Sequence, residues 1–235
     1  TLDVDGDGKV DLITPNQGDN NISVFRNIGT PGNPSFAARV NFTTGTQPRE
    51  VAYGDLDLDG KPDLIVANLG SNTFSVFKNT STPGAISFAS KVDFTTGTSP
   101  VYVQVRDFDG DGKADIAVSN FNSNSISLYQ NVASAGVMDG SSFISGGSLS
   151  AGAQVHRLQA EDIDRDGKID LIAPNSGSNT VFIFRNISSP GVFNSGSFSA
   201  PSSILIGTQP NGISIGDLNG DGFPEIACVA SASGG

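Results

Sequence analysis

Nineteen of the 24 acidic residues in this 235-residue chain fall in five nonapeptides of one pattern. They are Asp3 to Asp11 (DVDGDGKVD), Asp55 to Asp63 (DLDLDGKPD), Asp107 to Asp115 (DFDGDGKAD), Asp162 to Asp170 (DIDRDGKID) and Asp217 to Glu225 (DLNGDGFPE). Each carries oxygen side chains at positions 1, 3, 5 and 9, with Gly at position 6 where the chain must turn sharply. Carboxylates gathered this closely repel one another until a cation neutralises them. A hard cation such as Ca2+ takes six to eight oxygens at flexible geometry. The expected side-chain ligands are Asp3, Asp5, Asp7 and Asp11; Asp55, Asp57, Asp59 and Asp63; Asp107, Asp109, Asp111 and Asp115; Asp162, Asp164, Asp166 and Asp170; and Asp217, Asn219, Asp221 and Glu225. The backbone carbonyl at position 7 (Lys9, Lys61, Lys113, Lys168, Phe223) is expected to add another, so up to five Ca2+ are anticipated.

An EF-hand shares the Asp-x-Asp-x-Asp-Gly opening but needs a bidentate Glu at position 12 and helices on both sides. Position 12 here is Thr14, Val66, Val118, Ala173 or Cys228, which excludes that motif. A short apolar run follows each loop, as in Leu64-Ile65-Val66 and Ile116-Ala117-Val118, and reads as a strand whose first residue is the last ligand. A solvated acidic turn is the plainer alternative, since Asp and Gly dominate turns. Recurrence at matched spacing weighs against it.

Only 37% of the chain is hydrophobic and Gly numbers 29, which points to many short strands joined by turns. The net charge is −11, and five bound Ca2+ would bring it to −1. That acidity argues against nucleic acid, which wants a basic face. The single cysteine, Cys228, excludes an internal disulfide. No stretch approaches a membrane span and no signal peptide opens the chain. Thr1 lies two residues before a ligand, so the chain reads as a window from something longer.

The loops begin at residues 3, 55, 107, 162 and 217, a period of 52 to 55 residues. Such a period with several short strands per unit belongs to the propeller class. The second unit shows the plan, with its strands termed A to D. Val51-Ala52-Tyr53 precedes the loop as strand A, and Asp63 to Asn68 follows it as strand B. After a turn at Gly70-Ser71-Asn72, Thr73 to Phe77 forms strand C, and a Pro83-Gly84 link leads to strand D, Ser87 to Phe94. Gly97-Thr98-Ser99-Pro100 opens the next unit. Unit boundaries fall near 1–47, 48–99, 100–153, 154–209 and 210–235.

These residues resemble the FG-GAP/VCBS repeat, the unit of the integrin alpha-subunit propeller and of many bacterial secreted proteins. The resemblance covers essentially the whole chain. It implies an all-β β-propeller of four-stranded antiparallel blades, with a Ca2+-binding loop between strands A and B on one face. Phe36, Phe88, Phe143 and Phe198, opening strand D, resemble the family's blade-packing aromatic. Asn219 and Glu225 depart from the Asp pattern, and Arg165 brings a positive charge into loop four. A seven-bladed ring at this period needs about 370 residues, so the chain is expected to be a segment of about four and a half blades.

Where the units differ, the scaffold leaves residues free. The start of strand A is Arg49-Glu50, Val101-Tyr102, His156-Arg157 or Asn211-Gly212. By the family geometry these lie near the axis, on the face opposite the metals, and Arg49, Glu50, Tyr102, His156, Arg157 and Asn211 are the candidate ligand face. His156 is the sole histidine and no nucleophile motif accompanies it, so no catalysis is expected. Trp is absent and Tyr numbers three, which weakens a lectin reading while leaving Tyr102 as its best residue. Of four glycosylation sequons (Asn21, Asn41, Asn79, Asn186), two are accounted for as strand C ends. The expectation is a secreted or cell-surface, calcium-stabilised adhesion or scaffold module whose partner is a protein or glycan. A carbohydrate-binding propeller, or the propeller of a polysaccharide-degrading enzyme, is the alternative.

Overall fold

The computed structural model describes residues 1–231 and is built of strands, with one 3-10 turn at Ser195–Ser197. The last four residues of the fifth unit lie outside the described residues. Five antiparallel sheets follow one another along the chain. The first holds β1 (Leu12–Asn16), β2 (Asn21–Phe25) and β3 (Val40–Thr43). The second holds β4 (Pro48–Gly54), β5 (Asp63–Asn68), β6 (Thr73–Phe77) and β7 (Val92–Thr95). The third has β8 (Pro100–Arg106), β9 (Asp115–Asn120), β10 (Ser125–Asn131) and β11 (Phe143–Ser150). The fourth has β12 (Gln159–Glu161), β13 (Asp170–Asn175), β14 (Thr180–Phe184) and β15 (Ser202–Leu205). The last pairs β16 (Pro210–Gly216) with β17 (Glu225–Ala230). Strand order within each sheet is sequential, the meander expected of a blade.

Strands B and C of the second unit fall where the hydrophobic pattern places them. Strand D does not: its ladder starts at Val92, and Phe88 makes only an isolated bridge to Asn79. Phe36 and Phe198 behave alike, bridging Asn27 and Asn186, while Phe143 alone opens its strand. The packing role expected of these four is therefore uneven. Phe143 and Phe198 are buried, whereas Phe36 is 45% exposed.

Apolar side chains from facing sheets form the core at each seam. Between the second and third sheets Leu56, Ile65 and Phe74 meet Val103, Ile116, Tyr129 and Phe143. Between the third and fourth, Phe108 stacks on Phe193 at a centroid distance of 4.9 Å. No sheet is self-sufficient, since the apolar faces that meet at each seam are covered only by one another.

Asparagines at the strand B to C turns fix how one unit hands over to the next. Asn20, Asn72, Asn124 and Asn179 adopt left-handed backbone with φ of 53° to 57°, which Asn tolerates better than other side chains. Each side-chain oxygen then accepts a hydrogen bond from the backbone N–H of Gln47, Ser99, Gln154 or Gln209, 27 to 30 residues on. Pro follows three of these four donors and starts β4, β8 and β16. In the fourth unit Val155 stands there instead, bridging Asn175, and His156 to Leu158 stay outside the ladder.

Candidate functional site

Three of the four expected carboxylates converge in each of loops one to four. Asp3, Asp5 and Asp11 bring one oxygen each within 4.8 Å of one another, as do Asp55, Asp57 and Asp63; Asp107, Asp109 and Asp115; and Asp162, Asp164 and Asp170. The position-5 residues Asp7, Asp59, Asp111 and Asp166 stand outside these groups. One oxygen of each accepts the backbone N–H of position 7 at 2.8 to 3.0 Å. The lysines at position 7 direct their ammonium groups away, Lys61, Lys113 and Lys168 donating to the carbonyls of Ser81, Ala133 and Ser188.

Position 9 has a second function. Asp63 is fully buried, and its two oxygens accept the N–H of Leu56 and of Asn79 at 3.2 and 2.8 Å. Asp11, Asp115 and Asp170 repeat the arrangement. The residue thus ties the loop's start to the end of strand C. Burial pushes Asp63 and Asp115 up to about 7, with repulsion from the neighbouring aspartates adding to it and the backbone hydrogen bonds opposing it.

Positive or polar side chains at one strand C position reach three of these groups. Lys78 donates to Asp57 and Asp59, Gln130 donates to Asp109, and Arg185 pairs with Asp164 and Asp166. The link of the next unit closes over the loop: Gly84 N–H donates to Asp5 at 2.8 Å, and Gly136 N–H donates to the Asp57 carbonyl at 2.7 Å. Asp5, Asp57 and Asp109 are accordingly buried, while Asp164 is exposed.

An all-carboxylate donor set, largely buried in loops one to three and more open in loop four, fits a hard divalent cation in loops one to four. Loop five does not match them. Asn219 replaces the second carboxylate, and its amide donates to Asp221 and Glu225 at 3.1 and 2.8 Å, filling the space between them. Arg165 of loop four projects to this loop, its guanidinium carbon 4.6 Å from the centre of the Phe223 ring, and not into its own carboxylate group.

The non-repeating residues meet at the other end of the A strands. Arg49, Glu50, Tyr102, His156, Arg157 and Asn211 line one cavity of about 460 Å3. β4 runs from this cavity to loop two over its seven residues, a separation of roughly 20 Å. His156 packs on Phe121 with ring centres 4.6 Å apart, and its pKa is pushed down by burial and then by Arg49. Burial raises Glu50, and Arg157 and Arg49 oppose it. Val229, at the far end of β17, also lines the cavity and had no signal in the sequence, because only strand pairing brings it to Gly212. No helix among the described residues is long and apolar enough to cross a membrane.

Several solved structures share this fold. BBS1N, crystallised in complex with ARL6DN, is 13% identical, with a TM-score of 0.56 over 90% of this chain and 57% of that one. A proposed 6-phosphogluconolactonase from Bacteroides fragilis NCTC 9343 is 14% identical, with a TM-score of 0.62 over 95% and 56%. Its counterpart from Bacteroides uniformis ATCC 8492 gives 14% and 0.59 over 95% and 55%. The chain spans about half the length of these proteins. No curated protein matches it by sequence. The model of the FG-GAP-like repeat matches four times, at residues 3–66, 55–118, 107–173 and 162–228, each match running from one acidic loop through the strand that follows the next. The chain belongs to the FG-GAP-like repeat family.

Proposed function

We propose that the chain is a calcium-stabilised segment of a β-propeller that acts outside the cell as an adhesion or scaffold module, without catalysis of its own. The observation that carries this reading is the position of four carboxylate groups at the seams between sheets, where buried negative charge opposes folding until it is neutralised. The carboxylates of Asp3, Asp5 and Asp11 and their counterparts in loops two to four would hold the ion. Ca2+ bound there supplies charge neutralisation. A ligand that binds only the folded state stabilises it by RT ln(1 + [L]/Kd), about 2.7 kcal/mol per site at ~100-fold excess over Kd. Calcium affinities of extracellular modules, ~0.1 to 1 mM, suit secretion. The structural likeness to BBS1N, seen in complex with ARL6DN, supports a module that engages other proteins. The measurement is thermal unfolding in 2 mM Ca2+ and in excess EGTA. A large fall in Tm on chelation is expected, and superimposable curves would refute the reading.

Carbohydrate recognition at the opposite end is a second reading, favoured by the cavity around Tyr102. There Tyr102→Ala would abolish glycan binding while leaving the calcium-dependent Tm in place.

A further inference from the structure

The cavity at the start of the A strands has a charge character unlike the rest of the molecule. In a chain of net charge −11 it gathers two guanidinium groups, Arg49 and Arg157, against one carboxylate, Glu50. Burial, and then Arg49, push the His156 pKa down, which disfavours a third positive charge there. Neither arginine makes an ion pair within 4.0 Å among the described residues, although Glu50 lies beside both. Arg157 sits over the Tyr102 ring, 5.9 Å from its centre, and both guanidinium groups are exposed to the cavity. Planar, fork-shaped and free, they suit one carboxylate held bidentately.

Glu50 narrows the choice further. An ionised carboxylate only accepts hydrogen bonds, so whatever fills the cavity must bring hydroxyl or N–H donors to it as well as an anion to the arginines. A fully ionised inorganic phosphate offers acceptors alone and leaves Glu50 without a donor, whereas a sugar acid brings hydroxyls together with its carboxylate. Val101, Val229 and the Tyr102 ring give an apolar wall, and the Asn211 amide can both donate and accept. At about 460 Å3 the cavity lies in the range of small-ligand sites, ~300–1,000 Å3.

We propose that this cavity binds a uronic acid residue of an acidic glycan, with Arg49 and Arg157 on the carboxylate, Glu50 and Asn211 on ring hydroxyls, and Tyr102 against the ring. The inference deepens the carbohydrate reading above and rests on it.

The test titrates the chain in Ca2+ with digalacturonate and with its methyl ester, by calorimetry and by ligand-observed NMR. Digalacturonate is expected to bind at least tenfold more tightly than the ester. Arg157→Gln and Arg49→Gln, each at an exposed position, are expected to lose at least tenfold for the acid and little for the ester. Equal binding of acid and ester would overturn the acidic-sugar assignment and leave the carbohydrate reading standing. Binding of neither would overturn both. Tighter binding of the acid that survives both arginine substitutions would place the site elsewhere and overturn the proposal.

Discussion

The side-chain amide of Asn79 donates to the carbonyl of Val4, 75 residues earlier, at 2.9 Å. Asn131 makes the same bond to Leu56 and Asn186 to Phe108, both at 2.8 Å. The acceptor is always position 2 of the preceding acidic loop, so strand C of one unit is latched to the acidic loop of the unit before. Each asparagine also donates to the carbonyl at position 8 of its own loop and accepts from the backbone two residues on, as Asn131 does with Ala114 and Ala133. These residues are buried, which leaves Asn79 and Asn186 closed to glycosylation despite their sequons.

Replacing Asn131 with Ala strands the buried Leu56 carbonyl, the half-buried Ala114 carbonyl and the buried N–H of Ala133. At ~1–3 kcal/mol for a buried group left unsatisfied, the loss of stability is expected to be on the order of 3 kcal/mol. The urea unfolding midpoint measures it, and a change under 1 kcal/mol would show that the latch contributes little.

Position 4 of the loops requires left-handed backbone. Gly6, Gly110 and Gly220 have φ of 72° to 80° there, yet loops two and four place Leu58 and Arg165 at 59° and 61°. Leu58→Gly is expected to raise stability by about 0.5–1 kcal/mol, the relief of that strain less the entropy glycine costs the folded chain. Arg165→Gly gains less, because it also loses the contact with Phe223. Calorimetric Tm values of the two variants give the comparison.

Lys78 competes with any cation in loop two, since its ammonium rests on Asp57 and Asp59. Lys78→Met is expected to tighten calcium binding at that loop by about two- to fivefold, the range set by a partly exposed ion pair. Titration calorimetry on a variant whose other loops carry Asp→Asn changes isolates the site, and an unchanged Kd would argue against competition.

Protonation of Asp63 and Asp115 makes the calcium-free chain sensitive to pH. Both ionise near 3.8 when free and are pushed up to about 7 in the fold. Between those values the folded state keeps protons the unfolded state has released, so stability falls as pH rises from about 4 to about 7. With Ca2+ present the trend is expected to reverse, because the cation requires both carboxylates ionised. Tm in EGTA should be higher at pH 5 than at pH 7.5, and Asp63→Asn together with Asp115→Asn should flatten the slope.

The sequence by itself determined the repeat, its period, strands B and C and the hairpin that carries each acidic loop. All of these depend on residues close together in the chain, where turn chemistry and alternation act directly. The meeting of Arg49, Tyr102 and His156 in one cavity was also legible, because residues at one register of successive units must share one end of the stack. Only the tertiary structure decided what depends on how neighbouring sheets sit against each other. It set Asp7, Asp59, Asp111 and Asp166 apart from the carboxylate groups, turned the Asn219 amide into loop five and left Phe36 uncovered. It also showed what one replacement does at a distance: Asn16, Asn68 and Asn120 donate to Ser23, Ser75 and Ser127, whereas Phe182 stands at that place in the fourth unit and the amide of buried Asn175 has no protein partner among the described residues. A hydrogen bond needs both ends, and where the second end lies is a property of the fold.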